Sequence, residues 1–334
     1  MPEQPLVSII IPCRNEEKFI ARCLDSIIAN DYPKEKIEIL IMDGRSEDKT
    51  REIIKSYVKH YPFIRLLDNP RKFTPLALNI GIKNAQGEIV IRMDSHSTYD
   101  IKYIINCVRY LNEYQADNVG GIWKIMPREN TLTAKAIAFA SASIFTAGNA
   151  YYRRGYDKKP KWVDTVFGGC FRKEIFNKVG FFNENLVRSQ DMEFNIRLKK
   201  AGGKILLAPE IISNYYPEAT LEDFFKKNFK DGLWATYPFK FVKMPLSLRH
   251  YLPFIFVTVF IVLIVLSLFS SFFLICLEGM TIFYLLISFY FSAEIAIREG
   301  EWRYLILMPM AFSCRHFIYG LGSWWGIVRI ILAD

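Results

Sequence analysis

Apolar residues in the first hundred positions follow two alternating rhythms. A β-branched run over residues 6–11 (LVSIII) is followed, after Pro12, by Phe19, Ile20, Cys23, Leu24, Ile27 and Ile28 at helical spacing. A second run, 37–42, stops at Asp43-Gly44-Arg45-Ser46, and Ile53, Ile54, Tyr57 and Val58 mark the next helix. A third, 63–67, leads to Thr74-Pro75 and a helix carrying Leu76, Ala77, Ile80 and Ile82. A fourth, Ile89-Val90-Ile91, ends abruptly in Arg92-Met93-Asp94-Ser95-His96. This alternation predicts an α/β fold with a doubly wound, mostly parallel sheet. Each strand ends in polar residues: Arg14/Asn15/Glu16, Asp43/Gly44, Asp68/Asn69 and Asp94. Ligands of open α/β sheets bind at the carboxyl ends of the strands, so this edge is the expected site. A carboxylate there, with a His two residues on, can hold a divalent cation against phosphate oxygens. Alternation along an extended chain would put Asp94 and His96 on one side.

Beyond residue 100 the pattern loosens. Ile101, Ile104, Ile105 and Val108 predict a helix, 119–125 a strand, and the Ala/Ser-rich stretch 131–147 a packed or interfacial helix. The basic, aromatic segment 151–161 (YYRRGYDKKPK) reads either as a solvated linker or as a loop closing over an anionic donor. Residues 163–171 are strand-like but broken by Gly168-Gly169, where backbone can approach a ligand closely. Gly180 ends a short helix, and Gly202-Gly203 end one that starts near Ser189. Asp191 and Glu193 therefore fall in a helix's first turn, where a carboxylate serves either the helix dipole or chemistry. Phe224, Phe225, Phe229, Leu233 and Trp234, interleaved with Lys226, Lys227 and Lys230, predict an amphipathic helix lying on a membrane surface.

Composition explains why this last segment stands where it does. The 334 residues are 51% hydrophobic, and the excess is concentrated at one end. Residues 251–277 contain no charge, longer than the roughly 20 apolar residues that cross a bilayer, and too far along the chain for a signal peptide. A second span is expected over 279–297, and a third over 304–328, interrupted by Arg315-His316. Glu294, Arg315 and His316 within apolar stretches are costly and often functional. Only four of 43 Lys/Arg and five of 34 Asp/Glu lie in 251–334, so residues 1–250 carry an excess of about ten positive charges. That suits anionic lipids and phosphate-bearing substrates. No nucleic-acid motif appears, and nucleic acid is not expected as a partner. Lys240, Lys243 and Arg249 precede the first span while only Glu278 follows it, which predicts a cytosolic globular part on a multi-pass protein of the plasma membrane. Six scattered cysteines, without metal or redox spacing, read as reduced thiols.

The segments VSIIIPCRNEEKFIARCLDSI, EILIMDGRSEDKT, PLALNIGIKNAQGEIVIRMDSH, VDTVFGGCFRKEIFNKVGFFNENLVRSQDMEFNIRLKKAGGKI and RHFIYGLGSWWG, in this order, resemble a family 2 glycosyltransferase. The branch they resemble is that of the membrane-bound succinoglycan-type exopolysaccharide glucosyltransferases. The resemblance covers nearly the whole chain and implies a GT-A nucleotide-sugar-binding domain over 1–220. An amphipathic juxtamembrane segment (221–250) and a membrane domain of two to three spans (251–334) would follow. It implies a nucleotide-sugar set of Pro12, Arg14, Asn15, Glu16, Asp43, Gly44, Arg45, Arg92, Asp94 and Gly169. The family's D-x-D element matches Asp94-Ser95-His96, with His in place of the second Asp, so Mg²⁺ or Mn²⁺ would be held by Asp94 and His96. Its acceptor-side E-D element matches Gln190-Asp191, making Asp191 the catalytic base. The Q-x-x-R-W element of processive synthases is absent, and KDGLW (230–234) is at best a remnant, which argues against a polymerase.

Those residue types suit the implied reaction: an inverting hexosyl transfer from a nucleoside-diphosphate sugar, a UDP-sugar favoured, to a lipid-linked saccharide. A divalent cation at Asp94 neutralises the departing diphosphate, basic residues over 153–161 assist, and a carboxylate takes the acceptor's proton. Three other readings compete with this one. A polyprenyl-phosphate sugar synthase has an acceptor that is already ionised and needs no base. A Rossmann dehydrogenase needs G-x-G-x-x-G where PCRNEE stands. A membrane-anchored nucleotide-sugar-binding scaffold would account for His96 replacing an acid.

Overall fold

The structure is a computed structural model that describes residues 4–148, 152, 159–241 and 251–332. Contacts divide the chain into two compact units, one of residues 1–124 and 151–215, the other of 125–150 and 216–334.

The first unit is built on nine strands: β1 (Val7–Cys13), β2 (Ile37–Asp43), β3 (Ile64–Asp68), β4 (Ile89–Arg92), β5 (Ser97–Tyr99), β6 (Asn118–Ile125), β7 (Lys161–Trp162), β8 (Cys170–Arg172) and β9 (Ile205–Tyr215). They form one sheet in the order β3-β2-β1-β4-β8-β6-β9-β5, with β7 beside β9. The first four strands are parallel, as their strand–helix rhythm demands. β2 is buried at all seven positions, as a strand covered on both faces must be. Alternate residues go to opposite cores. Ile9, Ile11, Ile39, Ile41 and Ile91 pack with Ile20, Leu24, Ile27, Ile54 and Ile104. Ile10, Leu40, Met42 and Val90 pack with Leu78, Ile82, Phe171 and Phe194.

The rest of the sheet is antiparallel: β8 runs against β4 and β6, and β5 and β7 run against β9. The sheet is therefore mixed rather than mostly parallel. The change of direction lies between β4 and β8; after β4 the chain turns at Ser95-His96 and leaves the parallel half as β5, opposite Ser213–Tyr215. Of the strand-like stretch 163–171, only its end, within β8, is strand; the left-handed Gly168 (φ 71°) and Gly169 (φ 111°) take the chain out of it.

The second unit is helical. The stretch 131–147 breaks at Ser143, whose extended backbone (ψ 140°) separates Leu132–Ala142 from Ile144–Ala147. Although placed with the catalytic part from sequence, this stretch gives Ala136, Ile137 and Ala140 to a core with Phe224, Ile295, Tyr304, Met308 and Phe312.

The uncharged run 251–277 is not one span. Helix Leu252–Ser267 has 16 residues and a length of about 24 Å, short of the ~30 Å hydrocarbon core. The chain then turns over 268–270 and enters Ser271–Glu299, a 29-residue helix. This helix and the 29-residue Tyr304–Leu332 are long and apolar enough to cross a membrane. Phe272, Ile275 and Phe283 are each 66% exposed, an outward face that suits lipid and not a soluble core. Arg315-His316 does not interrupt the second of these helices: it is accommodated in a π-helical turn, Cys314–Ile318.

The expected amphipathic segment is helix Leu221–Thr236. It packs backbone to backbone against Tyr319–Leu332 through small residues. A methyl group at Gly232 would strike the Tyr319 carbonyl, one at Gly322 the Phe229 carbonyl, and one at Gly326 the Thr236 hydroxyl. The Ser323 hydroxyl donates to the Gly232 carbonyl (3.1 Å), and Thr236 donates to the Ser323 carbonyl (2.7 Å). This is the small-x-x-x-small contact of membrane helices, and it accounts for Gly322 and Gly326 of GLGSWWG; Gly320 instead makes room for the Pro253 carbonyl and Val257 of helix Leu252–Ser267. Gly279, by contrast, faces open space. Gly322→Val is thus expected to lower the midpoint of thermal unfolding in detergent by several degrees, from overpacking on the order of 1–3 kcal/mol. Gly279→Val should leave it unchanged, and equal midpoints for the two variants would refute the contact.

Candidate active site

The parallel register sets Cys13 level with Asp43, and Asp43 level with Asp68, so the first three strands end on one line. There the β1 and β2 loops lace together. Asn15, in the left-handed region (φ 53°), donates its amide to Ser46 Oγ (2.9 Å) and accepts from the Glu47 amide (2.9 Å). The Glu16 amide donates to Thr50 Oγ1 (2.7 Å). Asp43 lies inside this lacing with no exposed surface. It accepts from Ser46 Oγ (2.6 Å) and Arg51 Nη1 (2.9 Å), and Arg51 Nη2 reaches on to Asp68 (2.6 Å). In this structure Asp43 thus braces the loop, and Gly44 makes room for the Arg14 side chain. Arg14, Asn15 and Arg45 are the exposed members of the expected nucleotide set here, with Pro12 and Glu16 half-buried.

At the end of β4 the chain is not extended. The Ser97 amide donates to the Asp94 carbonyl (3.3 Å), closing a turn on which Asp94 and His96 stand. Tyr99 clamps that turn: its hydroxyl accepts from the Asp94 amide (2.6 Å) and donates to the Asp94 carbonyl (3.1 Å). His96 Nδ1 lies 3.1 Å from Glu16 Oε1. A carboxylate accepts, so the contact requires a proton on Nδ1; in the neutral ring that leaves the Nε2 lone pair for a ligand, the arrangement found around metal-bound histidines. Among the described residues no three His, Cys, Asp or Glu side chains converge on one point. The donors therefore fit a hard cation that takes one or two protein ligands and completes its shell with phosphate and water, and do not fit a protein cage.

The link between the two halves of the site is Arg92, which is 5% exposed. Its Nη2 donates to Asp94 Oδ1 (3.0 Å), and its Nη1 is ion-paired with Asp191 Oδ1. The guanidinium also lies over the Phe167 ring (5.4 Å), and the Arg92 amide donates to the Gly169 carbonyl (3.0 Å). A side chain at Gly169 would meet the Phe171 ring at 2.5 Å. Asp191 arrives on the first turn of helix Gln190–Lys200, after Ser189 in the left-handed region (φ 63°). Phe194 anchors that helix in the core, while Asn195 accepts from Asn118 (2.8 Å) and donates to Thr165 (2.9 Å). Glu193 does something else: Arg197 binds it through Nε and Nη2 (2.6 and 2.9 Å) within the helix. Of the two first-turn carboxylates, only Asp191 enters the site.

Electrostatics follow from this burial. Removal from water raises the Asp191 pKa above the ordinary carboxylate value, although Arg92 opposes the shift. Burial works against the charge on Arg92, but Asp191 and Asp94 outweigh it and hold its pKa above the ordinary value. Burial pushes the Cys13 and Cys23 thiols up, so both are inert neutral packing groups.

An aromatic wall that no sequence spacing predicts lines the site. Tyr215 stacks on Trp123 (4.4 Å, 12°), Trp123 meets Phe167 (4.3 Å) and Tyr152 (5.0 Å) edge-on, and Tyr215 faces the His96 ring (6.3 Å). It runs from His96 round to the ring beneath Arg92. The donor-closing loop expected over 151–161 lies mostly outside the described residues, as do Lys243 and Arg249.

This arrangement can be compared with known proteins. The model of glycosyl transferase family 2 matches residues 8–180, and that of glycosyl transferase family group 2 matches 100–320. A Methanococcus voltae dolichyl N-acetyl-α-D-glucosaminyl phosphate 3-β-D-2,3-diacetamido-2,3-dideoxy-β-D-glucuronosyltransferase is 32% identical, over 72% of this chain and 80% of its own length. The succinoglycan biosynthesis protein ExoA of Rhizobium meliloti is 31% identical over 73% of each. The mannosyltransferase PcManGT of Pyrobaculum calidifontis, solved with GDP-Man and Mn²⁺, shares the fold at 18% identity (TM-score 0.59; all of this chain, 89% of that one). The sheet with its turn at Asp94 is therefore a GT-A fold. With a family model spanning more than half of its length, the chain belongs to glycosyl transferase family 2.

Proposed function

We propose that this glycosyltransferase is bound to the plasma membrane as a multi-pass protein with its catalytic part in the cytosol. In this reading it transfers a hexose, with inversion, from a nucleoside-diphosphate sugar to a lipid-linked saccharide. The carrying observation is the meeting of Asp94 and Asp191 on one buried guanidinium, which brings a donor-side and an acceptor-side carboxylate into one site. The name of the Methanococcus voltae relative supports a lipid-linked saccharide acceptor, that of the Rhizobium meliloti relative supports polysaccharide synthesis, and the outward apolar faces of the 29-residue helices support the membrane.

Roles follow from position. Arg14 and Arg45, exposed on the two laced loops, are placed to meet nucleotide and phosphate charge. Asp94, with His96 through Nε2, would hold Mg²⁺ or Mn²⁺; the cation supplies Lewis-acid neutralisation of the departing diphosphate. Asp191 accepts the proton of the attacking hydroxyl from the face opposite the leaving group, which inverts the anomeric centre. A base is needed by a hydroxyl acceptor and not by a lipid monophosphate, so its presence favours a saccharide acceptor over a polyprenyl-phosphate one.

Asp191→Asn is expected to lower kcat by about 10²–10⁴-fold while donor binding stays within a few-fold. Near-normal turnover would remove Asp191 from the mechanism. Because burial raises the Asp191 pKa and the base must be ionised, activity should fall with acid through an apparent pKa above the ordinary ~3.9. A kcat profile flat down to that value would contradict the assignment. A panel of UDP- and GDP-sugars, UDP-sugars first, should show one donor turned over with Mn²⁺ or Mg²⁺, lost with EDTA and in Asp94→Ala. Turnover indifferent to both would exclude the metal role.

A further inference from the structure

The family resemblance puts Arg92 in the nucleotide-sugar set, but its surroundings argue for another task. Its guanidinium is closed off by Asp94 on one side, Asp191 on the other and the Phe167 ring. It is 5% exposed, with little surface left for a nucleotide or sugar. We infer that Arg92 is a positioning residue, not a donor ligand: it holds the acceptor-side Asp191 in register with the donor-side Asp94 turn.

The geometry states how. A guanidinium is a rigid planar fork whose two terminal nitrogens can reach two carboxylates at once, which the single ammonium of Lys cannot do with the same orientation. Nη1 engages Oδ1 of Asp191 while Nη2 engages Oδ1 of Asp94, so the two carboxylates are held by the two tips of one fork. The Arg92 backbone is fixed independently, by pairing with β1 opposite Ile10 and by its amide bond to Gly169. The fork therefore transmits the position of the sheet to a helix that joins the site much later in the chain. Any charge brought to Asp94 with the donor is felt through the same group by Asp191, so donor and acceptor sites are coupled through one side chain.

This inference rests on Asp191 being the base, and the test separates the two. The full chain in detergent is used. Calorimetry with UDP or GDP plus Mn²⁺ reads donor-site binding, and nucleotide release from the donor found in the panel reads turnover. Arg92→Lys should bind the nucleotide·Mn²⁺ pair within threefold of wild type yet lose at least 100-fold in kcat. Asp191→Asn should lose a similar amount, and the double variant should be no more than threefold below Asp191→Asn alone. If Arg92→Lys weakens nucleotide binding tenfold or more, or if the two losses multiply, the positioning role is wrong. If Asp191→Asn itself keeps turnover, it is the base assignment that fails. Should Arg92→Lys not fold, Arg92→Gln in the Asp191→Asn background, which removes one charge of each sign, takes its place in the binding arm. Nucleotide binding equal to that of Asp191→Asn supports the inference, and a tenfold loss overturns it.

Discussion

Two carboxylates drawn out of water around one guanidinium are the arrangement on which this active site depends. Such a cluster is stable only if every member stays: removing the Arg92 guanidinium would leave the buried Asp94 and the half-buried Asp191 as uncompensated like charges, a loss on the order of a few kcal/mol. The surrounding fold can be read as the apparatus that keeps the three together. β4 supplies Arg92 and Asp94, the Tyr99 hydroxyl holds the backbone of the turn, and Phe194 and Asn195 hold the helix that delivers Asp191. The left-handed Ser189 and Gly169 lie where the chain must bend to reach that cluster.

How much of this was legible in the sequence follows from the range of the interactions. The parallel half was readable because its signal is local: each strand is a β-branched run and each helix an amphipathic repeat. The antiparallel half was not. β5 has three residues, and β9 (ILLAPEIISNY) carries Pro209 within it and has its pattern set by partners far away in sequence. Asp191 and Glu193 looked alike as first-turn acids, and only the fold shows that Arg197 takes one and Arg92 the other. Asp43 could be picked out as a strand-end carboxylate, but its enclosure by Ser46 and Arg51 depends on how two loops interlock. The aromatic wall combines residues from β6, β9 and the loop before β8, and no spacing in the chain announces it.

The membrane segments show the same limit in another form. Hydropathy located the apolar region but not its breaks, because the turn at 268–270 carries no charge and is marked only by Ser267, Ser270 and Ser271, which a hydropathy window averages away. It also treated Arg315-His316 as an interruption. In the structure Arg315 donates to Asn228 (2.9 Å), and His316 bonds to the Phe145 carbonyl (3.0 Å) and Tyr284 (3.2 Å). Polar groups in an apolar helix are tolerated when other helices satisfy them, and the π turn gives them the angle to be satisfied. The glycines that follow let those helices approach closely enough to do so.

The substitution of His for the second acid of the D-x-D element also finds an explanation at this level. With Asp in that position the turn would add another carboxylate to a region that already holds Glu16, Asp94 and Asp191. A neutral imidazole avoids that repulsion while keeping a lone pair for a cation. Glu16 takes over the missing negative charge one step removed, through the Nδ1 proton. In the proposed reading the carboxylate is displaced from the metal position to the group that orients it; the His96–Glu16 contact ties the β1 loop to the turn after β4. On this reading the His is a rearrangement of the acidic motif and not a loss of it, which weighs against a scaffold without catalysis.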